Sequence, residues 1–133
     1  MLLELAAPYL EVADLGDTRA ELQKSVDNAV RGLTKSPYGA VMRALMSQIA
    51  TNPELGDAFR ETVVDARRTE IARVVERGIK RGDLRPDTDG GIATELLIGP
   101  VYYRLVFGGT LDGRFSRRVV DAFLRGFATR PPE

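Results

Sequence analysis

The sequence predicts an all-α domain of about six to seven helices, a helical bundle. Apolar residues recur at helical spacing along nearly the whole chain. No run alternates with the period of two that a half-buried strand needs, and the gaps between stripes hold proline, glycine and capping residues. With 133 residues the chain is the length of one domain and can bury a core without staples.

The elements follow in order. Thr18, with Glu21 three residues on, reads as a capping box that opens a helix. Leu22, Val26, Ala29, Val30 and Leu33 form the apolar stripe of that helix. Ser36-Pro37 opens the next, with Ser as N-cap and Pro at the first helical position. Tyr38, Val41, Met42, Leu45, Met46 and Ile49 give it a broad apolar face. Asn52-Pro53-Glu54 ends that helix and starts another, because the residue before proline is pushed out of the α region and suits an N-cap.

From Pro53 to Arg81 the pattern fits one long helix, or two with a break near residues 61–66. Leu55, Ala58, Phe59 and Val63 make one stripe; Ile71, Val74, Val75 and Ile79 make the other. Between them, Asp65 with Arg68, Glu70 with Arg73 and Glu76 with Lys80 form a solvated face, each pair worth only about 0.2–0.5 kcal/mol. Gly82 ends the helix, so Arg81-Gly82-Asp83 is a helix exit rather than an adhesion motif. Asp87, Thr88 or Asp89 caps a helix that runs to about Phe107 and closes at Gly108-Gly109. After a loop at 110–115, Ser116 caps a last helix, and the tail from Thr129 frays.

The composition narrows the chemistry. Lys and Arg together number 19, as do Asp and Glu, so no net positive charge draws the chain to nucleic acid. There is no Cys and no His, which removes thiolate chemistry, the commonest metal ligand and the commonest general base. DTDGG at 87–91 lacks the final Glu of a Ca²⁺ loop, and Ser25, Ser36, Ser47 and Ser116 have no base to activate them. We therefore expect no catalytic site, no metal and no cofactor. The opening MLLELAAPYLE carries Glu4 and no basic region, and no apolar run is long enough to span a bilayer. These features lead to the expectation of a cytoplasmic protein without a membrane partner.

Two apolar features remain. Met42, Met46, Phe59, Tyr102 and Tyr103, with Leu45 and Val63, suit an adaptable ligand pocket, since thioethers and aromatic rings fill irregular space and buried phenols demand partners. The stretch from Ile92 to Phe107 is apolar on more than one face, so one face rests on the chain's own core and another wants a partner. Leu97, Val101 and Leu105, with Val119, Val120, Phe123, Leu124 and Phe127 of the last helix, are the candidate face for a second copy across a twofold axis, giving a four-helix bundle.

Within this stretch lies LLIGPVYYRLVFGGTLD at 96–112, which together with NPEL at 52–55 and ERGIKRGDLRPDTD at 76–89 resembles the C-terminal, ligand-binding and dimerisation domain of TetR-family (tetracycline-repressor-like) transcriptional regulators. The resemblance runs from about Thr18 to Ala128. It implies that residues 1–133 form an effector-binding and dimerising domain, that a helix-turn-helix which reads DNA is absent from them, and that MLLELAAPYL corresponds to the helix just after it. It further implies that a small effector re-aims the DNA-reading part and releases the operator, and the mostly uncharged, apolar pocket candidates named above favour an apolar or aromatic effector over a sugar phosphate. In this setting Gly99 and Pro100 are expected to bend the penultimate helix, with Gly99 admitting a neighbouring backbone. Arg67 and Arg104 are candidate anchors for an anionic group, though surface ion pairing is the simpler role. A helical protein-protein interaction module without a small ligand is the alternative, using the same apolar helices.

Overall fold

The computed structural model describes residues 2–130. Its helices are α1 (Leu2–Ala6), α2 (Thr18–Lys35), α3 (Pro37–Ile49), α4 (Pro53–Phe59), α5 (Asp65–Lys80), α6 (Gly90–Phe107) and α7 (Gly113–Phe127), with a 3-10 turn, Ala7–Tyr9, extending α1. Among the described residues there is no strand, and no helix is long and apolar enough to cross a membrane. Helix α2 is the central post, packing against α3, α5, α6 and α7. Leu22 and Val26 are wholly buried on its stripe, facing Ile71, Val74, Leu97 and Val120 in one continuous core.

The long pattern from Pro53 is one rod with a π turn, Arg60–Val64, between α4 and α5. The sequence ambiguity near 61–66 thus resolves as a change of pitch within a helix and not as a break. Asn52 caps α4 through a side-chain bond accepted from the Leu55 amide at 3.1 Å. At the far end the Asp83 amide donates to the Gly78 carbonyl at 2.9 Å and the Gly82 amide to Ile79 at 3.0 Å. With Gly82 at φ +80°, this is a Schellman closure.

Two caps differ from the sequence expectation, and a third keeps its place without the capping hydrogen bond. Asp17, not Thr18, caps α2, accepting from the Ala20 amide at 3.0 Å. Asp112, not Ser116, caps α7, accepting from the Phe115 amide at 2.9 Å, so the helix begins four residues earlier. Ser36 occupies the cap position of α3, but its hydroxyl donates back to the Gly32 carbonyl. In the first two cases a carboxylate one to four residues upstream outcompetes the hydroxyl as acceptor.

Freed from capping, Glu21 does something else. Its side chain is 0% exposed and accepts from the Arg77 Nε at 2.7 Å, while its other oxygen meets Arg81 Nη2 at 2.7 Å. Arg77 also donates to the Val12 carbonyl at 3.2 Å, and Arg81 pairs with Asp14. The exposed Asp14 carboxyl is held below its usual pKa by the Gly16 amide first and then by Arg81 and Arg77. Glu21 thereby locks the segment before α2 onto the end of α5. The expected fraying at Thr129 does not occur: its amide donates to Asp83 at 3.0 Å and its hydroxyl to Gly82 at 2.6 Å, beside an isolated antiparallel bridge between Leu84 and Ala128. Residues 131–133 of that tail lie outside the described residues.

Candidate ligand cavity and the outer face of α6

Helix α6 runs unbroken from Gly90 to Phe107 with Pro100 inside it, capped by Asp89 through the Ile92 amide at 2.9 Å. Its residues divide among three surroundings. Ala93, Leu97 and Val101 are fully buried in the core under α2. Thr94, Ile98, Gly99 and Tyr102 line a cavity of about 410 Å³ that opens to solvent on one side, past the exposed Ala50, Arg68, Glu95 and Gly99. Ile92, Leu96, Tyr103 and Phe107 are exposed and, with the partly buried Pro100, recur at helical spacing on one outer face.

The cavity lies between three elements. Helix α3 contributes Met46 and Ile49, and its C-cap residue Ala50 adds to them; the α4–α5 rod contributes Phe59, Val63, Val64 and Arg67. The walls are thus chiefly apolar, as pockets for small organic molecules are, and the size is within their common range of roughly 300–1,000 Å³. At the mouth, Arg68 of α5 stands 3.6 Å from Glu95 of α6, a solvent-exposed pair. Deeper in, the Tyr38 and Tyr102 hydroxyls are 3.2 Å apart, and the Tyr102 ring meets Phe59 edge-on at 6.3 Å between centroids. Burial raises both phenol pKa values, Tyr38 well above the ordinary range.

Of the residues the sequence marked for a pocket, the structure brings Met46, Phe59, Val63 and Tyr102 together around this cavity. Met42 is fully buried in the core, Leu45 is partly buried against it, and Tyr103 points outward, 5.0 Å from Phe107 between ring centroids. Arg67 is not the surface ion-pair partner the sequence suggested. It is 5% exposed, lines the cavity, and donates from Nη1 to the Tyr9 carbonyl at 3.1 Å. Its position was legible in the spacing, since Phe59, Val63 and Arg67 follow at four-residue steps. Arg104 also lacks an ion pair among the described residues; it lies 3.9 Å over the Phe115 ring and donates to the Thr110 carbonyl at 2.9 Å.

The candidate face for a second copy divides in the same way. Leu97, Val101 and Val120 are fully buried within the single chain, and Phe123 and Leu124 nearly so. Leu105, Val119 and Phe127 are partly buried. What remains outward is an open groove between α6 and α7, lined by Leu96, Pro100, Phe115, Val119, Ala122 and Phe127. Gly99 does not admit a neighbouring backbone: a Cβ there would have nothing within 4 Å among the described residues outside its chain neighbours. The constraint is Pro100 itself. A proline clashes with the Cβ of a preceding residue held in the α region, and glycine has none.

A family model described as tetracyclin repressor-like, C-terminal domain, matches residues 12–123. The chain belongs to this family. As a tetracyclin repressor-like domain it is 30% identical over 133 residues to the HTH-type transcriptional regulator YdeS of Bacillus subtilis (strain 168), spanning 98% of this chain and 67% of that protein. Its fold superposes on the crystal structure of the TetR family transcription regulator SCO0332 with a TM-score of 0.82 and 28% identity, over 90% of this chain and 66% of that one. The chain thus spans about two thirds of the length of the relatives it matches.

Proposed function

We infer that this domain senses a small apolar or aromatic effector and pairs with a second copy, so that ligand occupancy is passed to a DNA-reading helix-turn-helix. The observation that carries the reading is the division of α6. One helix has cavity wall on one side and an exposed apolar stripe on another, so a ligand that shifts α6 shifts the pairing face with it. Tetracyclin repressor-like membership and the helix-turn-helix in the name of the Bacillus relative support a regulatory output. Thermodynamically the effector acts only through its different affinity for two arrangements of the helices.

Two measurements test it. Light scattering coupled to size exclusion, run over a wide concentration range, should find a dimer. Phe107 is 75% exposed, and covering it contributes about 2 kcal/mol per copy, hence about 4 kcal/mol across a twofold axis, so Phe107→Ala should weaken pairing roughly a thousandfold. A monomer at every concentration would end the pairing half of the reading. Thermal shift with a panel of apolar and aromatic compounds tests the other half: hits should vanish in Ala50→Trp, which sets an indole at the cavity rim just beyond the end of α3. Hits that persist in that variant would place the ligand elsewhere.

A further inference from the structure

We propose that the cavity takes an amphipathic monoanion, a carboxylate whose head sits against the Arg67 guanidinium and the Tyr102 hydroxyl and whose aliphatic or aromatic body lies on Met46, Ile49, Phe59 and Val63. The assignment rests on the cavity being the effector site. Arg67 carries a full charge into an apolar wall at 5% exposure, and no carboxylate among the described residues pairs with it. The acidic groups that α5 and its neighbours offer are engaged elsewhere or, like Glu61 and Asp65, exposed to solvent without an ion pair to Arg67. Glu21 holds Arg77 and Arg81, Glu70 holds Arg73, and Glu95 faces Arg68.

A guanidinium has five N–H donors, and one of them, on Nη1, meets the Tyr9 carbonyl. Holding a single carbonyl does not require a cation. An uncompensated buried charge is unfavourable, and burial pulls the Arg67 pKa below its usual value, while the nearby phenols only partly offset that. An incoming carboxylate supplies the missing countercharge and matches the planar fork with two oxygens. Tyr102, whose hydroxyl among the described residues meets only that of Tyr38, adds a further donor. One guanidinium balances one negative charge, and the mouth pair Arg68–Glu95 adds no net charge, so a monoanion is favoured over a phosphate dianion.

The test is titration calorimetry on the 133-residue chain with straight-chain carboxylic acids of six to fourteen carbons and phenylalkanoic acids, each beside its methyl ester. The acid should bind roughly ten- to a hundredfold more tightly than its ester, as a charge-assisted hydrogen bond provides. In Arg67→Met that preference should collapse while the ester affinity is kept, and the unliganded variant should melt no lower than the parent, because an apolar side chain removes the desolvation penalty. Tyr102→Phe gives an independent check, with weaker acid binding and unchanged ester binding. Equal binding of acid and ester overturns the anion assignment and leaves the cavity reading standing. No binding by any acid or ester overturns the cavity reading and this assignment with it. An acid preference that survives Arg67→Met, in a variant that melts lower, makes Arg67 a structural tether for Tyr9 and overturns the proposal.

Discussion

Gly39 lies in the first turn of α3, directly after the Ser36-Pro37 corner, and replacing it by alanine sets two effects of opposite sign against each other. In an open helix interior Gly→Ala gains about 1 kcal/mol. Here a Cβ would overlap the Leu33 carbonyl oxygen and stand 2.6 Å from the Leu33 carbonyl carbon and 3.1 Å from its Cα. Ordinary contact begins at 3.4 Å, so the carbonyl carbon alone requires the two main chains to part by about 0.8 Å, and the overlapped oxygen requires more. Every atom met is backbone, which leaves no rotamer to yield. Overpacking of this kind costs about 1–3 kcal/mol, and the rigid neighbours put this case at the upper end. The net loss expected for Gly39→Ala is about 2 kcal/mol, or about 8 °C in midpoint for a domain of this size. Gly126→Ala, with nothing within 4 Å among the described residues beyond its own helix backbone, is the control and should gain stability. Urea unfolding followed by circular dichroism, at one fixed protein concentration, reads both. A Gly39→Ala variant as stable as the parent would refute the close approach. The result also bears on function, because Tyr38 is the neighbouring residue and its hydroxyl meets Tyr102 at the cavity.

Glu21→Gln should destabilise the fold by about 3 kcal/mol, since it leaves Arg77 and Arg81 facing an uncharged amide in a buried position; a loss under about 1 kcal/mol in urea unfolding would contradict the clamp. Pro100→Ala should stabilise α6 by up to about 3 kcal/mol by restoring a donor. Gly99→Ala should then be favourable only in that background and unfavourable beside Pro100. A double-mutant cycle measures the coupling, and simple additivity would remove the explanation given for the Gly-Pro pair. The Tyr38 and Tyr102 pKa values are raised by burial, so their contribution to stability is complete below the unfolded value of about 10 and falls as pH rises above it. Unfolding at pH 9 and pH 11 should show this fall, reduced in Tyr38→Phe, whereas phenolate absorbance showing all 4 tyrosines ionising together in the folded chain would exclude it.

Much of the fold was readable because helices announce themselves through spacing and punctuation. Asn52-Pro53, Ser36-Pro37 and Gly82 mark boundaries that the structure keeps. Asp17 and Asp112 were overlooked because a nearby Thr or Ser also fits a cap, and only geometry shows which oxygen reaches the amide. Helix α6 defeats periodicity for a different reason. When a helix is apolar almost all round, Leu97, Tyr102 and Tyr103 look alike in sequence, yet one is core, one is cavity wall and one is exposed. Arg67 was hidden by the ordinary expectation that an arginine among charges pairs at the surface. Its stripe position beside Phe59 and Val63 argued otherwise, and burial decides it.

The contact between Leu84 and Ala128 has a mechanical consequence. The amides of Arg85 and Thr129 cross-link the exit of α5 to the exit of α7, donating to Phe127 and Asp83 at 2.9 and 3.0 Å, and the Thr129 hydroxyl adds a third strut to Gly82. Two helices joined at one end behave as a lever with a common fulcrum: neither tilts alone without snapping those struts. Helix α5 carries Arg67 at the cavity, and α7 forms one bank of the outer groove. A displacement that starts at one arm is therefore delivered to the other through four residues of paired main chain.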